Sequence, residues 1–211
     1  KNIAKKKLAD TKIPECKYQL EKRCFSITAE IISDVQKVLN LLGIPWIVAP
    51  HNYEAEHLGA TLSKKGIIDT FITADSDTML FGATSMVRRV KRGRKTFYEK
   101  YVLDDVLIDY DLTREQLVRL GVVMGSDFNT KTRGIGPKKI LTSGLNVVLT
   151  DEQKKAAQYF LAECPFTDDD IHRYKRSNVE KSSKKEELIK WLVDEKRFNR
   201  ARITKVLIPF P

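Results

Sequence analysis

The sequence has few cysteines and no long apolar run. Three Cys among 211 residues cannot build a disulfide framework, and Cys16, Cys24 and Cys164 lack metal-ligand spacing. We therefore expect a reducing compartment, either nuclear or cytoplasmic. No apolar stretch approaches the roughly 18 to 20 residues that a membrane span needs, so no membrane partner is expected. The lysine-rich start has no apolar core behind it and does not match a secretory signal.

Acidic residues are outnumbered by basic ones. The chain has 38 Lys and Arg against 28 Asp and Glu, a formal net charge of +10. This balance predicts a polyanionic partner, most simply nucleic acid, although a solvated basic surface would give the same numbers. A hydrophobic fraction of 42% excludes disorder over most of the chain. The length is sufficient for one α/β domain or two small ones.

Hydrophobic periodicity predicts a mixed α/β fold with a partly parallel sheet. Apolar runs at 44–49 and 67–73 are typical of buried strands, and the helix predicted between them completes a strand–helix–strand unit. Residues 86–101 predict a basic hairpin that turns near Gly93. Helices are predicted from Thr28 to Gly43, from Asn52 to Gly66, and at 113–124, 151–163, 167–176, 184–197 and 199–207.

Five carboxylates lie at the predicted ends of strands and helices. Glu54 and Glu56 begin the helix after the first strand, Asp75 and Asp77 follow the second strand, and Asp127 follows the helix at 113–124. Each has a simple structural explanation, because helix dipoles favour Glu at N-termini and Asp is common in turns. Together they favour a site for Mg²⁺ or Mn²⁺, where two ions would clamp a scissile phosphate.

A glycine-rich segment at 133–140 predicts a phosphate contact. Its G-x-G turn precedes a helix, and glycines let backbone N–H groups approach a phosphate closely. A plain loop would explain the glycines equally, but the adjoining Pro and Lys pair favours a helix-hairpin-helix grip on duplex DNA. The predicted contacts are Lys131, Arg133, Gly134, Gly136, Lys138 and Lys139.

Six basic residues crowd into residues 88–95, on the predicted hairpin. This density suits nucleic acid binding, with Arg88, Arg92 and Arg94 as the contacts. An edge strand protected by charge would show the same pattern, and both interpretations are compatible.

These motifs, in this order over residues 24–145, resemble the flap endonuclease family, the structure-specific 5′ nucleases that include the xeroderma pigmentosum G type. The matching segments are 42–45 with 49–50 and 54–56, then 73–77 with 80–82, then 124–128, then 134–139. The resemblance implies a PIN-like α/β nuclease core with flanking helices, a helix-hairpin-helix (H2TH-type) motif and a helical C-terminal region. It also implies Glu54, Glu56, Asp75, Asp77 and Asp127 as ligands of two Mg²⁺ or Mn²⁺ ions.

The resemblance further implies DNA with a 5′ flap, or a junction of single strand and duplex, as the substrate. A metal-activated water would cleave the phosphodiester and leave a 5′-phosphate and a 3′-hydroxyl, in DNA replication or repair. A monovalent cation such as K⁺ would bridge the helix-hairpin-helix motif to the phosphate.

By the same resemblance, the chain divides into four segments. These are an arch remnant at 1–27 that presents Lys22 and Arg23 to DNA, a nuclease core at 28–128, the helix-hairpin-helix at 129–150 and a helical region at 151–211. The family's amino-terminal region, with half the sheet and two further Asp ligands, has no counterpart here. We therefore expect that region as a partner, either a separate chain or a segment of the same protein. The last residues lack the Gln and paired aromatics of a sliding-clamp peptide.

Two other functions remain open from the sequence. The chain could be a non-catalytic DNA-binding fragment, or an endonuclease of the same family that prefers junctions or bubbles. A Holliday-junction resolvase or an RNase H-like exonuclease is a further alternative within the enzyme class. The variant Asp127→Ala distinguishes the enzyme from the binding fragment. It should abolish cleavage in an enzyme and leave DNA binding intact or tighter, whereas in a binding fragment it should have little effect on any activity.

Overall fold

A computed structural model describes residues 26–166 and 184–207. The predicted contacts Lys22 and Arg23, the predicted helix at 167–176 and the last four residues lie outside the described residues. The chain forms two compact units, unit 1 with residues 1–47 and 168–211 and unit 2 with residues 48–167. Within the described ranges, no helix combines the length and apolar character needed to cross a membrane.

The described residues form nine α-helices and three strands. In chain order these are α1 (Ala29–Leu41), α2 (Ala55–Lys64), β1 (Phe71–Ile72), α3 (Asp77–Leu80), β2 (Ser85–Arg92), β3 (Lys95–Val102), α4 (Leu103–Asp109), α5 (Arg114–Met124), α6 (Ile140–Ser143), α7 (Asp151–Leu161), α8 (Lys185–Asp194) and α9 (Arg200–Leu207).

Unit 1 contains α1, α8 and α9. The helix α1 begins where predicted, because the Thr28 side chain accepts a hydrogen bond from the Ile31 N–H at 3.3 Å. The side chain of Lys196 pairs with Asp34 at 2.5 Å. The apolar faces of the helices share one core of buried side chains, namely Leu41, Leu188, Ile189, Trp191 and Leu207.

Unit 2 packs α2, α3, α5 and α7 around a separate core. Its α5 begins with a capping box, in which Thr113 and Gln116 each bind the other's backbone N–H. The buried core residues are Ala60, Phe81, Ala83, Val118, Val122, Ala156 and Phe160. This core supports the strand and helix ends that carry the acidic residues.

The sheet has three strands in the order β1-β2-β3. β1 runs parallel to β2, pairing Phe71 with Met86, and β2 runs antiparallel to β3. Gly93 lies in the two-residue turn of the hairpin with φ at +63°, a conformation that suits glycine. The predicted hairpin and the predicted partly parallel sheet with flanking helices are confirmed.

The strand predicted at 44–49 is wrong, since none of those residues belongs to a strand. A strand requires a hydrogen-bonded neighbour, and Pro45 has no N–H to donate to one. β1 pairs with β2 and not with residues 44–49. The parallel pair therefore comes from β1 and β2, which α3 connects, and not from residues 44–73. β1 itself is shorter than predicted.

Two helix predictions also need correction. Asn52 has φ at +70°, which is not the extended conformation of an N-cap, and α2 begins instead after Glu54. The helix predicted after the G-x-G turn is only the four-residue α6, followed by a 3₁₀ turn at Gly144–Asn146.

Candidate metal and nucleic-acid site

Asp75 lies in the turn between β1 and α3, and Asp77 is the first residue of α3. The Thr73 hydroxyl accepts a hydrogen bond from the Asp75 N–H at 3.0 Å. The Asp75 carboxylate in turn accepts from the Asp77 N–H at 2.9 Å, at the start of α3. These local bonds explain the turn and leave the Asp77 carboxylate to face the site.

Glu54 and Glu56 are positioned by the packing of α2 on an aromatic cluster. His57 is fully buried, lies 4.4 Å from the Phe81 ring between centroids, and contacts Tyr159 edge-on. Burial lowers the pKa of His57 and so favours its neutral ring, and the Nε2–H donates to the Ala162 carbonyl at 3.0 Å. This cluster fixes the helix that carries Glu54 at its N-cap and Glu56 in its first turn.

Asp127 lies on a tight loop held by buried amides. Gly125 has φ at +91°, and a Cβ there would lie 3.0 Å from the Lys131 backbone nitrogen, so the loop closes only around glycine. The Asn129 side chain donates to the Val122 carbonyl at 2.7 Å and to the Thr130 carbonyl at 2.9 Å. The sequence analysis missed Asn129.

Gln153 of α7 supports the same loop from behind. Its Nε2 donates to Thr132 Oγ1 at 3.0 Å and to the Val122 and Thr130 carbonyls at 3.3 Å. Gln153 is 2% exposed, so these bonds form away from competing water. In the sequence, Gln153 is recognisable only as the capping-box residue three positions after Thr150. That position does not predict the hydrogen bonds of its Nε2 to the loop.

The five carboxylates share one electrostatic field. The pKa of Asp77 is raised to about 6, first by burial and then by the negative charges of Asp75, Asp127 and Glu56. The pKa of Glu54 is also raised, again first by burial and then by the other four acids. The structure therefore brings together the acids that the sequence placed on three separate elements.

A cavity of about 430 Å³ opens among Asp75, Asp77 and Asp127, with Asn129 and Lys131 also in its lining. Lys131, predicted as a DNA contact of the glycine-rich grip, thus borders the acidic site. Within the described part of the chain, no three His, Cys, Asp or Glu side chains converge closely enough to hold one ion. Mg²⁺ often uses one or two carboxylates, with water and phosphate completing its shell. The donor chemistry therefore fits Mg²⁺ or Mn²⁺.

The glycine-rich grip exposes its backbone. Gly134 has φ at +79°, and no atom lies within 4 Å of a Cβ built at Gly134 or Gly136, so a ligand can approach. The side chains of Arg133, Lys138 and Lys139 are exposed beside them. Arg119 anchors the segment that follows, donating to the Leu145 carbonyl at 3.0 Å and to the Val147 carbonyl at 2.6 Å.

The three predicted hairpin arginines differ from one another. Arg92 is paired with Glu99, Arg88 lies directly across the strands from Glu99, and Arg94 is exposed in the turn. Of these three arginines, Arg92 is the one that forms an ion pair, and Arg94 is the one exposed at the tip.

Comparison with known proteins identifies the family. Residues 43–127, which contain all five acids, match the XPG I-region. A flap endonuclease 1 of Methanoculleus marisnigri is 33% identical over 171 residues, 73% of this chain and 51% of the relative. The chain belongs to the flap endonuclease and XPG family. It spans about half the length of the curated relatives that it matches.

Solved structures of this family share the fold. A flap endonuclease-1 of Methanococcus jannaschii matches 87% of this chain and 58% of its own, with a TM-score of 0.60 and 28% identity. The catalytic core of Rad2, in complex with DNA substrate, matches 97% of this chain and 75% of its own, with a TM-score of 0.63 and 21% identity. The predicted nuclease-core fold is confirmed.

Proposed function

We propose that the chain is the acidic half-site of a structure-specific 5′ nuclease that hydrolyses DNA at flaps or junctions of single strand and duplex. The observation that carries this proposal is the shared field of five carboxylates from three elements, seen in the raised pKa values of Glu54 and Asp77. The names of the relatives as flap endonucleases, and the DNA substrate in the Rad2 structure, support the substrate class.

Glu54, Glu56, Asp75, Asp77 and Asp127 would hold two Mg²⁺ or Mn²⁺ ions. When bound, the ions would offset the charge of the scissile phosphate and favour hydrolysis that leaves a 5′-phosphate and a 3′-hydroxyl. The carboxylates supply hard oxygen donors whose mutual repulsion disfavours the ion-free state. Asn129 and Gln153 orient the loop of Asp127, and Lys131 lies where it can contact a phosphate entering the cavity.

The exposed backbone at Gly134 and Gly136, with Arg133, Lys138 and Lys139, would hold the downstream duplex by its phosphates. N–H groups at such a turn bind the backbone and read no base, so this contact positions the substrate. The proposal includes a monovalent cation such as K⁺, which this glycine-rich turn would hold next to a bound phosphate.

Full activity would require additional residues that complete the sheet and the ligand set, supplied by a segment or a partner chain. Two observations support this: β1 pairs along one edge only among the described residues, and no three described acids converge on one point. We therefore expect this chain alone to cleave much more slowly than a full-length relative.

A single-turnover assay tests the proposal. The 211-residue chain, in excess over a 5′-flap substrate labelled on the flap, should cleave at the flap base with Mg²⁺ and not with EDTA. Asp127→Ala should abolish cleavage while binding stays intact or tightens, and Asp69→Ala, at an exposed acid outside the cavity, should cleave as the unmodified chain does. A DNA ligase should seal the nicked product only if it carries a 5′-phosphate and a 3′-hydroxyl.

A non-catalytic DNA-binding fragment is the second candidate, and the lack of a convergent acid triplet in the described residues favours it. It predicts salt-dependent binding with no Mg²⁺-dependent cleavage, and no effect of Asp127→Ala on any activity. Bubble and four-way junction substrates in the same assay separate flap preference from the junction-specific alternative.

A further inference from the structure

The β2-β3 hairpin presents two faces of different chemistry. Side chains alternate along a strand, so residues paired across the ladder lie on the same face. One face, here the paired face, carries Met86, Arg88, Val90, Arg92, Lys95, Phe97, Glu99 and Tyr101. The other, here the open face, carries Val87, Arg89, Lys91, Thr96, Tyr98 and Lys100.

The paired face shares part of its charge with an acid. Arg92 pairs with Glu99 and lies over the Phe97 ring at 5.7 Å from its centroid. The Tyr101 hydroxyl donates to the second oxygen of Glu99 at 2.8 Å. At its base Met86 is only 2% exposed, so this face joins the core. The single acid of this face, Glu99, and the Phe97 ring are therefore both engaged by Arg92.

The open face has cations without acids. Tyr98 lies directly opposite Arg89, with Lys91 diagonally across and Lys100 two residues along the same strand. Among residues 26–166 and 184–207, no acidic side chain pairs with these three cations, and no ring or cation contacts Tyr98. The Tyr98 side chain is 68% exposed. In the part of the chain that the structure describes, an exposed aromatic ring with no ring or cation packed on it therefore lies at the centre of a basic patch that has no acidic partner.

We propose that the open face binds single-stranded nucleic acid, with a base stacked on Tyr98 and phosphates at Arg89, Lys91 and Lys100. An exposed ring can stack only on a base that has left its own helical stack, which makes this surface selective for unpaired strands. The cations around it track the backbone without reading sequence. That the partner is a nucleic acid rests on the proposed function. The residues Arg89, Lys91, Tyr98 and Lys100 are not among the DNA contacts predicted from the sequence.

Binding of fluorescein-labelled dT12 to the whole chain in EDTA, followed by anisotropy over a range of salt, tests this surface. Tyr98→Ala should weaken binding about 5- to 150-fold, the effect of losing one stacked base, while Tyr98→Phe keeps the ring and should bind within about twofold. Arg89→Ala should lower the slope of log affinity against log salt by about 0.7, the value for one lost phosphate contact on a single strand.

The matched control lies on α7, outside the hairpin. Lys154→Ala also removes an exposed cation, but its charge is shared with Asp151, so the salt slope should stay unchanged. Tyr98→Ala should leave binding to a blunt duplex of equal length unaffected. Because Tyr98 is exposed, unchanged far-UV circular dichroism is expected for all variants.

Three results would overturn the proposal: Tyr98→Ala binding dT12 as the unmodified chain does, an equal loss on duplex and single strand, or equal competition by polyglutamate, which would indicate an acidic-peptide surface. The test needs no cleavage and can be repeated in Asp127→Ala. Failure of the nuclease proposal alone would remove Mg²⁺-dependent cleavage and leave the Tyr98 effect in place.

Discussion

Replacing Asp77 with Asn should stabilise the metal-free protein at alkaline pH. Burial and the charges of Asp75, Asp127 and Glu56 raise the pKa of Asp77 from 3.8 to about 6, so the folded state disfavours its ionised form. A shift of that size is worth up to about 3 kcal/mol at pH 8. Because the side chain is only half-buried, solvent screening reduces the expected gain to about 1 kcal/mol.

The sign of the pH dependence is fixed by linkage. The folded state binds the proton more tightly than the unfolded state, so stability falls as pH rises from about 3.8 to about 6. Below this window both states are protonated and Asp77→Asn should have little effect. Above it the full gain should be present. The backbone N–H of residue 77, which donates to Asp75, is unaffected by the substitution.

Urea unfolding in EDTA at pH 4 and pH 8, followed by far-UV circular dichroism, measures the difference. Trp46 and Trp191 both belong to unit 1, whereas Asp77 belongs to unit 2. Tryptophan fluorescence, recorded in parallel, therefore reports the other unit and should show no shift. Asp69→Asn, at an exposed acid outside the cavity, is the matched control and should leave both signals unchanged.

Added Mg²⁺ should reverse the order of stability. At 100 times its dissociation constant a ligand stabilises the folded state by about 2.7 kcal/mol, and Asp77→Asn removes one of the proposed donors. The unmodified chain should then be more stable than the variant. A gain from Asp77→Asn that is equal at pH 4 and pH 8, or a loss at pH 8 in EDTA, would refute the claim that the folded state disfavours ionised Asp77.

Three further substitutions test the scaffold around the site. Gln153→Ala removes the donor to the Thr132 hydroxyl oxygen, while the Val122 and Thr130 carbonyls keep their bonds from Asn129, and it should cost about 1 kcal/mol in urea unfolding. Arg114→Lys should lower the melting temperature, because one guanidinium nitrogen, Nη2, donates to the carbonyls of Leu80, Phe81 and Phe160, and the shorter lysine places its ammonium short of that position. Gly59→Ala would bring a Cβ to 2.6 Å from the Phe71 ring, and we expect a loss of about 1 to 3 kcal/mol in the same unfolding assay.

Local signals predicted the elements that depend on local chemistry. The N-caps Thr28 and Thr113 and the glycine turn of the hairpin lie where the sequence placed them, since each is decided within a few residues. The strand at 44–49 failed because strand formation depends on a hydrogen-bonded neighbour, which no local pattern supplies. The left-handed Asn52 was likewise hidden, because Asn suits both a cap and a turn.

The residues of the site were likewise predicted where the local sequence marks them and missed where they depend on distant partners. The acids were found because strand and helix ends of an α/β fold are where such groups gather. The supporting amides Asn129 and Gln153 were missed because their partners are carbonyls, which every residue has and no side chain marks. The hairpin arginines were chosen by density alone, and only the strand register shows that Arg92 shares the face of Glu99 whereas Arg89 faces Tyr98.

The acidic residues and the side chains that support them have opposite effects on the stability of unit 2. Burial and the neighbouring negative charges disfavour ionised Glu54 and Asp77, which destabilises unit 2 when no cation is bound, so the acids do not hold the loop of Asp127. It is held by neutral buried donors, Asn129 and Gln153, whose hydrogen bonds do not change with pH or metal. If the proposed nuclease is correct, Gln153→Ala should therefore slow cleavage without weakening DNA binding, because it loosens the position of a ligand that it never touches. Equal loss of binding and cleavage would instead indicate general unfolding of unit 2.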